Sequence, residues 1–189
     1  MRTAALLTFA SLAAWLTLAA PSHAVNLVAN GGFETGTFAG WTLNGTPSTL
    51  FNVSNFEPHS GQYAMFIADY ESDHDQISQV VPSVNGQGYT LEFWLRNFEQ
   101  GNDGLQVFWE GSLVLEQKPV LAPVDLWTKY SLPVTATTNG SELRLGGFDV
   151  PNSIYFDDIS VTQIPEPSTL LLVVAGVAVL VKRGMRRSI

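Results

Sequence analysis

Between residues 25 and 163 no long stretch of this chain repeats its apolar residues with a helical period. It carries short runs rich in Val, Ile, Phe, Tyr, Trp and Thr, several with strict alternation, separated by clusters of Gly, Asn, Pro and Ser. Alternation at period two suits a strand with one buried face and leaves a helix without an apolar stripe. The spacing predicts strands over 63–68, 76–81, 89–96, 105–110, 113–117, 127–134, 142–148 and 154–162. Turns are legible at VNGQG (84–88), QGND (100–103), EG (110–111) and TTNG (137–140). Eight to ten short strands at this spacing predict an all-β sandwich or barrel.

The alternation also assigns faces. In the segment 89–96, Leu91, Phe93 and Leu95 point one way, and Glu92, Trp94 and Arg96 the other. In the last strand the same rule puts Tyr155, Asp157, Ile159 and Val161 together, opposite Phe156, Asp158 and Ser160. A carboxylate sharing a face with Ile and Val is costly unless it is paired, hydrogen-bonded or bound to a metal.

Both ends of the chain are apolar and differ from the middle. Residues 1–24 have an early cation at Arg2, an apolar stretch, and Ser22-His23-Ala24 at the close. This is the pattern of a secretory signal peptide, with the cut expected after Ala24. At the other end an apolar run over 168–181 is followed by KRGMRR. As a helix the run reaches about 20 Å, short of a hydrocarbon core of about 30 Å. The cations beyond it can snorkel to a headgroup layer and mark a cytoplasmic end.

The segment 25–163 then stands as one domain. Its basic residues are Arg96, Lys118, Lys129 and Arg144, against sixteen Asp and Glu, a net charge of −12. Nucleic acid and anionic headgroups are poor partners for such a surface, whereas cations, neutral glycans and basic proteins suit it. The absence of cysteine excludes disulfides, thiolate catalysis and cysteine-type zinc sites. Only His59 and His74 lie within the domain, and it has neither a Gly-x-Ser-x-Gly elbow nor a His-Glu-x-x-His pair. No catalytic residues are assigned. The expected activity is binding, with Trp94 as a stacking surface for a sugar ring and Glu92 and Arg96 beside it for the hydroxyls. The alternatives are a structural matrix protein with no specific sugar and a small glycoside hydrolase.

Two sets of motifs carry resemblances. NLVANGGFETGTFAGWT (26–42) and IYFDDISVT (154–162) bracket the domain, with PHSGQYAM (58–65), YTLEFWLRN (89–97) and LWTKYSLPV (126–134) between them. In order and spacing this resembles the galactose-binding-like jelly-roll superfamily, and within it the exported carbohydrate-binding modules. The resemblance implies a structural calcium where the first loop meets the last strand. Its ligands would be a carbonyl at Gly32, the Glu34 carboxylate, a carbonyl near Ser60 or His59, and Asp157. Calcium takes six to eight hard oxygens of these kinds. The same residues also read as turn anchors, with Glu34 accepting backbone N–H bonds and Asp157 capping a strand end.

At the C-terminus, Pro165-Glu166-Pro167, Ser-Thr, the apolar run and the basic cluster together resemble the PEP-CTERM sorting signal, over residues 164–189. That likeness implies a Gram-negative host that makes exopolysaccharide, a temporary hold in the inner membrane, and processing near Pro165-Glu166-Pro167 by an exosortase-type enzyme. Delivery would be to the cell surface or extracellular matrix, with extracellular polysaccharide as partner. A further acidic run at 68–78 holds Asp69, Glu71, Asp73 and Asp75. It lacks the Gly and Glu of an EF-hand loop. It reads as a solvated loop, with a second cation or sugar hydroxyls as the alternative.

Overall fold

The structure, a computed structural model, describes residues 25–44, 50–68, 75–99 and 101–165. Residues 1–24, with Ala24, and residues 166–189, with Glu166 and Pro167, lie outside the described residues, as do 69–74 of the acidic run.

Every regular element among the described residues is a strand: β1 Thr42–Asn44, β2 Phe51–Ser54, β3 Ala64–Ile67, β4 Asp75–Val81, β5 Gly88–Asn97, β6 Asp103–Trp109, β7 Ser112–Gln117, β8 Thr128–Thr135, β9 Ser141–Asp149 and β10 Ile154–Gln163. They form two five-stranded sheets, in the orders β1-β4-β9-β6-β7 and β2-β3-β10-β5-β8. All strand pairs within them are antiparallel. The described residues form an all-β jelly-roll sandwich; the spacing of strands and turns predicts a sandwich or barrel, and the resemblance a jelly roll. Two strands escape that reading. Residues 42–44 and 51–54 are too short to show alternation, and both lie at sheet edges, where neighbours rather than sequence decide pairing.

The core lies between the sheets. Leu91, Phe93 and Leu95 of β5 are fully buried against Leu105, Val107, Leu143 and Leu145 of the opposite sheet. Phe93 and its cross-strand partner Tyr130 stack with ring centroids 5.0 Å apart. Trp41 and Trp109 belong to this core, and their indole N–H groups donate to the carbonyls of Asn30 and Thr135. A buried indole needs such a partner.

The last strand departs from simple alternation. Asp157 pairs with Trp94 and Ser160 with Glu92, so β10 spends two residues where β5 spends one. Asp158 takes φ 48° at this bulge, a conformation that Asp tolerates better than most residues. One extra residue swaps the faces beyond it. Phe156 therefore joins Ile159 and Val161 in the core, while Asp157 shares the outer face with Trp94. The expectation that Asp157 sits beside Ile159 and Val161 is thus corrected. Asp157 is fully buried, but under a loop rather than inside the sandwich.

Glu110, in the tight turn after β6, shows how the acidic residues can serve the fold. Its carboxylate accepts the backbone N–H groups of Thr137 and Thr138, a hydroxyl of each, and the Ser141 hydroxyl. Desolvation pushes the other way, but the bonds from Ser141, Thr137 and Thr138 win and hold it down at about 2. A carboxylate lowered in the folded state contributes stability above its unfolded pKa that is lost as pH falls through the folded one. Glu110→Gln should therefore melt about 3 °C below the parent at pH 7. In a melting series the deficit should close between pH 4.5 and about 2.

Candidate functional site

Three segments meet at the β10 bulge. The first is the opening loop, fixed to β10 by Leu27 N–H donating to the Val161 carbonyl and by Asn26, whose Oδ1 accepts the N–H groups of Val28 and Val161. Asn30 organises the loop, donating from Nδ2 to the carbonyls of Thr37 and Ala39. Gly31 then lies directly on the bulge. Its carbonyl accepts the Ile159 N–H at 2.9 Å, and a Cβ there would stand 2.0 Å from the Ile159 carbonyl oxygen.

The second segment is the turn over 57–63, held by two carboxylates. Asp157 Oδ2 accepts the N–H groups of His59 (2.9 Å) and Ser60 (3.1 Å), and its Oδ1 accepts that of Asp158 (2.7 Å). Glu34 accepts the N–H groups of Gln62 and Tyr63 at 3.0–3.1 Å. Gly61 sits so close beneath Glu34 that a Cβ would fall 2.3 Å from its Oε1. Asp158 completes the clamp, with Oδ2 2.6 Å from His59 Nδ1 and Oδ1 accepting the Ser60 hydroxyl at 2.8 Å.

Gly32, Glu34, Ser60 and Asp157 are thereby brought to one place. A Cβ on Gly32 would stand 3.7 Å from Asp157 Oδ1, 3.7 Å from Glu34 Cγ and 3.4 Å from Asp158 Oδ1. Burial pushes the Asp157 carboxyl up to about 6, against the N–H bonds from Ser60, Asp158 and His59 that pull it down. Among the described residues no three His, Asp or Glu side chains are spaced to hold a metal by themselves. The set named above asks for less, namely two carboxylates and two carbonyls, and it is of hard oxygens throughout. An ionised carboxylate has about four lone-pair directions, so the N–H bonds already made leave room on Glu34 and Asp157. The donor chemistry fits calcium. The sequence reading overlooked Asp158, whose role follows from a bulge that alternation could not foresee.

The third segment is the outer face of β5. Trp94 and Glu92 line an open depression of about 320 Å³ with Asn26, Gly32, Lys129, Asp158 and Ser160. Trp94 is half-buried, and His59 stacks on its ring at 3.8 Å and 17°, so one face is occupied. Glu92 is paired with Lys129 at 3.0 Å. Arg96 lies outside this depression. Its guanidinium bridges Glu57 (2.7 Å) and Asp125 (2.5 Å) and rests over Phe98.

The outer face of the other sheet carries a second arrangement. One row across the strands reads Asn44, Gln76, Gly146, Gln106 and Glu116; the next reads Thr42, Ser78, Arg144 and Phe108. Arg144 lies over the Phe108 ring at 4.4 Å. Its Nε is shielded and has no hydrogen-bond partner among the described residues. Gln106 Nε2 donates to Glu116 at 2.9 Å. Gly146 leaves the middle of its row without a side chain, and Gln76 lies against it. Half-exposed amides, a guanidinium and an aromatic ring on one platform can hydrogen-bond and stack on a polyhydroxylated ring. Alternation within β4, β6 and β9 was readable in the sequence, but their adjacency was not.

Among the described residues no helix is long and apolar enough to cross a membrane. No family model matches the chain. Endo-1,4-beta-xylanase A of Thermoanaerobacterium saccharolyticum is 27% identical over 157 residues, which covers 75% of this chain and only 13% of the xylanase. Among solved structures, TmCBM61 in complex with beta-1,4-galactotriose superposes with a TM-score of 0.55 at 23% identity, covering 74% of this chain and 99% of that one. The CBM22-1 xylan-binding domain from Paenibacillus barcinonensis Xyn10C gives 0.52 at 15% identity, covering 72% and 94%. The class so defined is the two-sheet jelly roll on which carbohydrate-binding modules are built.

Proposed function

We propose that this chain is an exported, non-catalytic carbohydrate-binding protein of the cell surface or extracellular matrix. The observation that carries this reading is the platform of Gln76, Gln106, Arg144 and Phe108 on one outer face of a jelly roll. The same fold carries galactotriose- and xylan-binding modules in other proteins. A neutral or cationic polysaccharide suits the acidic domain. A glycan array with the purified protein in calcium tests the reading: binding to a β-linked glycan supports it, and no binding to any glycan favours a structural matrix role. The depression beside Trp94 is a second place for sugar, favoured by the partial exposure of its indole. The xylanase likeness is consistent with an accessory module, since so little of the enzyme is matched.

Calcium is proposed as a structural ion held by Glu34, Asp157 and carbonyls of Gly32 and Ser60. It would supply the positive charge that the buried Asp157 lacks and lock the first loop to the bulge. Chelation with EDTA should lower the melting temperature, and Asp157→Ala should abolish the difference between EDTA and calcium. An unchanged melt of the parent protein on chelation would count against the ion.

Residues 1–24 are proposed as a cleaved signal peptide and 164–189 as a sorting tail read by an exosortase-type enzyme. The order of motifs supports this reading. The domain's pairing ends close to the tail, since β10 stops at Gln163 and Ile164 N–H donates to the Gly88 carbonyl. Pro165 beyond it is exposed. Replacing Pro165, Glu166 and Pro167 by Ala should leave uncut protein in the inner membrane on fractionation; normal release would refute the address.

A further inference from the structure

At the end of the sandwich where β5 runs out, three polar side chains point inward. Asn97, Asp103 and Asp149 continue the inner faces of β5, β6 and β9, after Leu95, before Leu105 and after Leu145. Asp103 and Asp149 are direct partners across neighbouring strands, which sets their Cβ atoms about 5 Å apart. They are 0% and 2% exposed. Two like charges facing each other in the interior are destabilising unless something neutralises them.

The two carboxylates are treated differently by the protein. Asp103 is held by the Asn97 amide and by the N–H groups of Gly101 and Val120. Asp149 Oδ2 is buried and has no hydrogen-bond partner among the described residues. Among those residues no Lys, Arg or His forms an ion pair with either Asp. Asp75, also buried, opens the adjacent β4 opposite Gly147, two residues from Asp149 along β9. That position departs from the solvated loop expected of the acidic run. Burial, helped by the charges of Asp103 and Glu99, pushes the Asp149 carboxyl up to about 7.

We infer that the Asp103–Asp149 pair is half of a second divalent-cation site, separate from the Glu34–Asp157 region and suited to calcium. Because no three acidic side chains among the described residues converge at this end, the ion takes its other oxygens there from backbone, amide or water. Calcium accepts such mixed and irregular shells, whereas magnesium demands a near-ideal octahedron. The ordinary alternative is that the pair shares a proton.

The test is calcium counting by equilibrium dialysis, with melting curves, on the full chain and on Asp149→Asn and Glu34→Gln. Asp149→Asn is expected to bind one calcium fewer and to lose part of the calcium-dependent rise in melting temperature. In EDTA it should melt no lower than the parent, because it removes a buried charge. A variant that is more stable in EDTA but binds as much calcium, with the same calcium-dependent shift, would establish the shared proton and overturn the site. If Asp149→Asn does not fold, Glu34→Gln decides: one calcium retained supports the site, and none retained overturns it.

Discussion

Replacing Arg144 by Ala is expected to weaken glycan binding by about 10- to 100-fold, the worth of losing charge-assisted hydrogen bonds of about 1.5–3 kcal/mol. Its guanidinium stands over Phe108, in the row beside the one that carries Asn44, Gln76 and Gln106. A ligand hydroxyl can accept from the terminal N–H groups of that half-exposed guanidinium. Because Arg144 lies on an outer face, the melting temperature should move little. Trp94→Ala is the matched control, since His59 covers one face of that ring; it should change affinity less than Arg144→Ala. Isothermal titration against an oligosaccharide chosen from the array measures both. The reverse ranking would move the sugar to the depression beside Glu92 and Lys129.

Gly31→Ala is expected to be the more damaging change to the fold. Its new Cβ would need to stand 2.0 Å from the Ile159 carbonyl oxygen, which is backbone and cannot rotate away. Relief requires moving the loop off the bulge, which breaks the Ile159 N–H bond to Gly31 and the alignment of Gly32 and Glu34. Overpacking against backbone costs about 3 kcal/mol or more, or about 10 °C of melting temperature for a domain of this size. Scanning calorimetry checks the shift. A variant that melts within about 2 °C of the parent would mean the loop is held less tightly than the geometry implies.

Much of this was legible along the chain. Alternation in β5 placed Leu91, Phe93 and Leu95 in the core and Glu92, Trp94 and Arg96 outside, because an unbroken strand has a period of two. The same rule failed in β10, where the extra residue at Asp158 exchanged the faces. The four residues named for a metal do gather at one place, but the sequence did not show that Glu34 and Asp157 also anchor the turn over 57–63. Nor did it show that Arg96 is engaged by Glu57 and Asp125, or that His59 stacks on Trp94. These are contacts between segments distant in sequence, for which local pattern holds no signal.

By itself the sequence determined that the domain is all-β, that its surface is acidic, and which side chains of each regular strand share a face. These properties follow from composition and from the fixed pleat of a strand. The tertiary structure alone decided which strands are neighbours. That decision set Arg144 beside Phe108 and Gln106, and it buried Asp103 against Asp149. Hydrogen bonding between strands far apart in the chain depends on the closure of the whole sandwich, and no single stretch of residues encodes it.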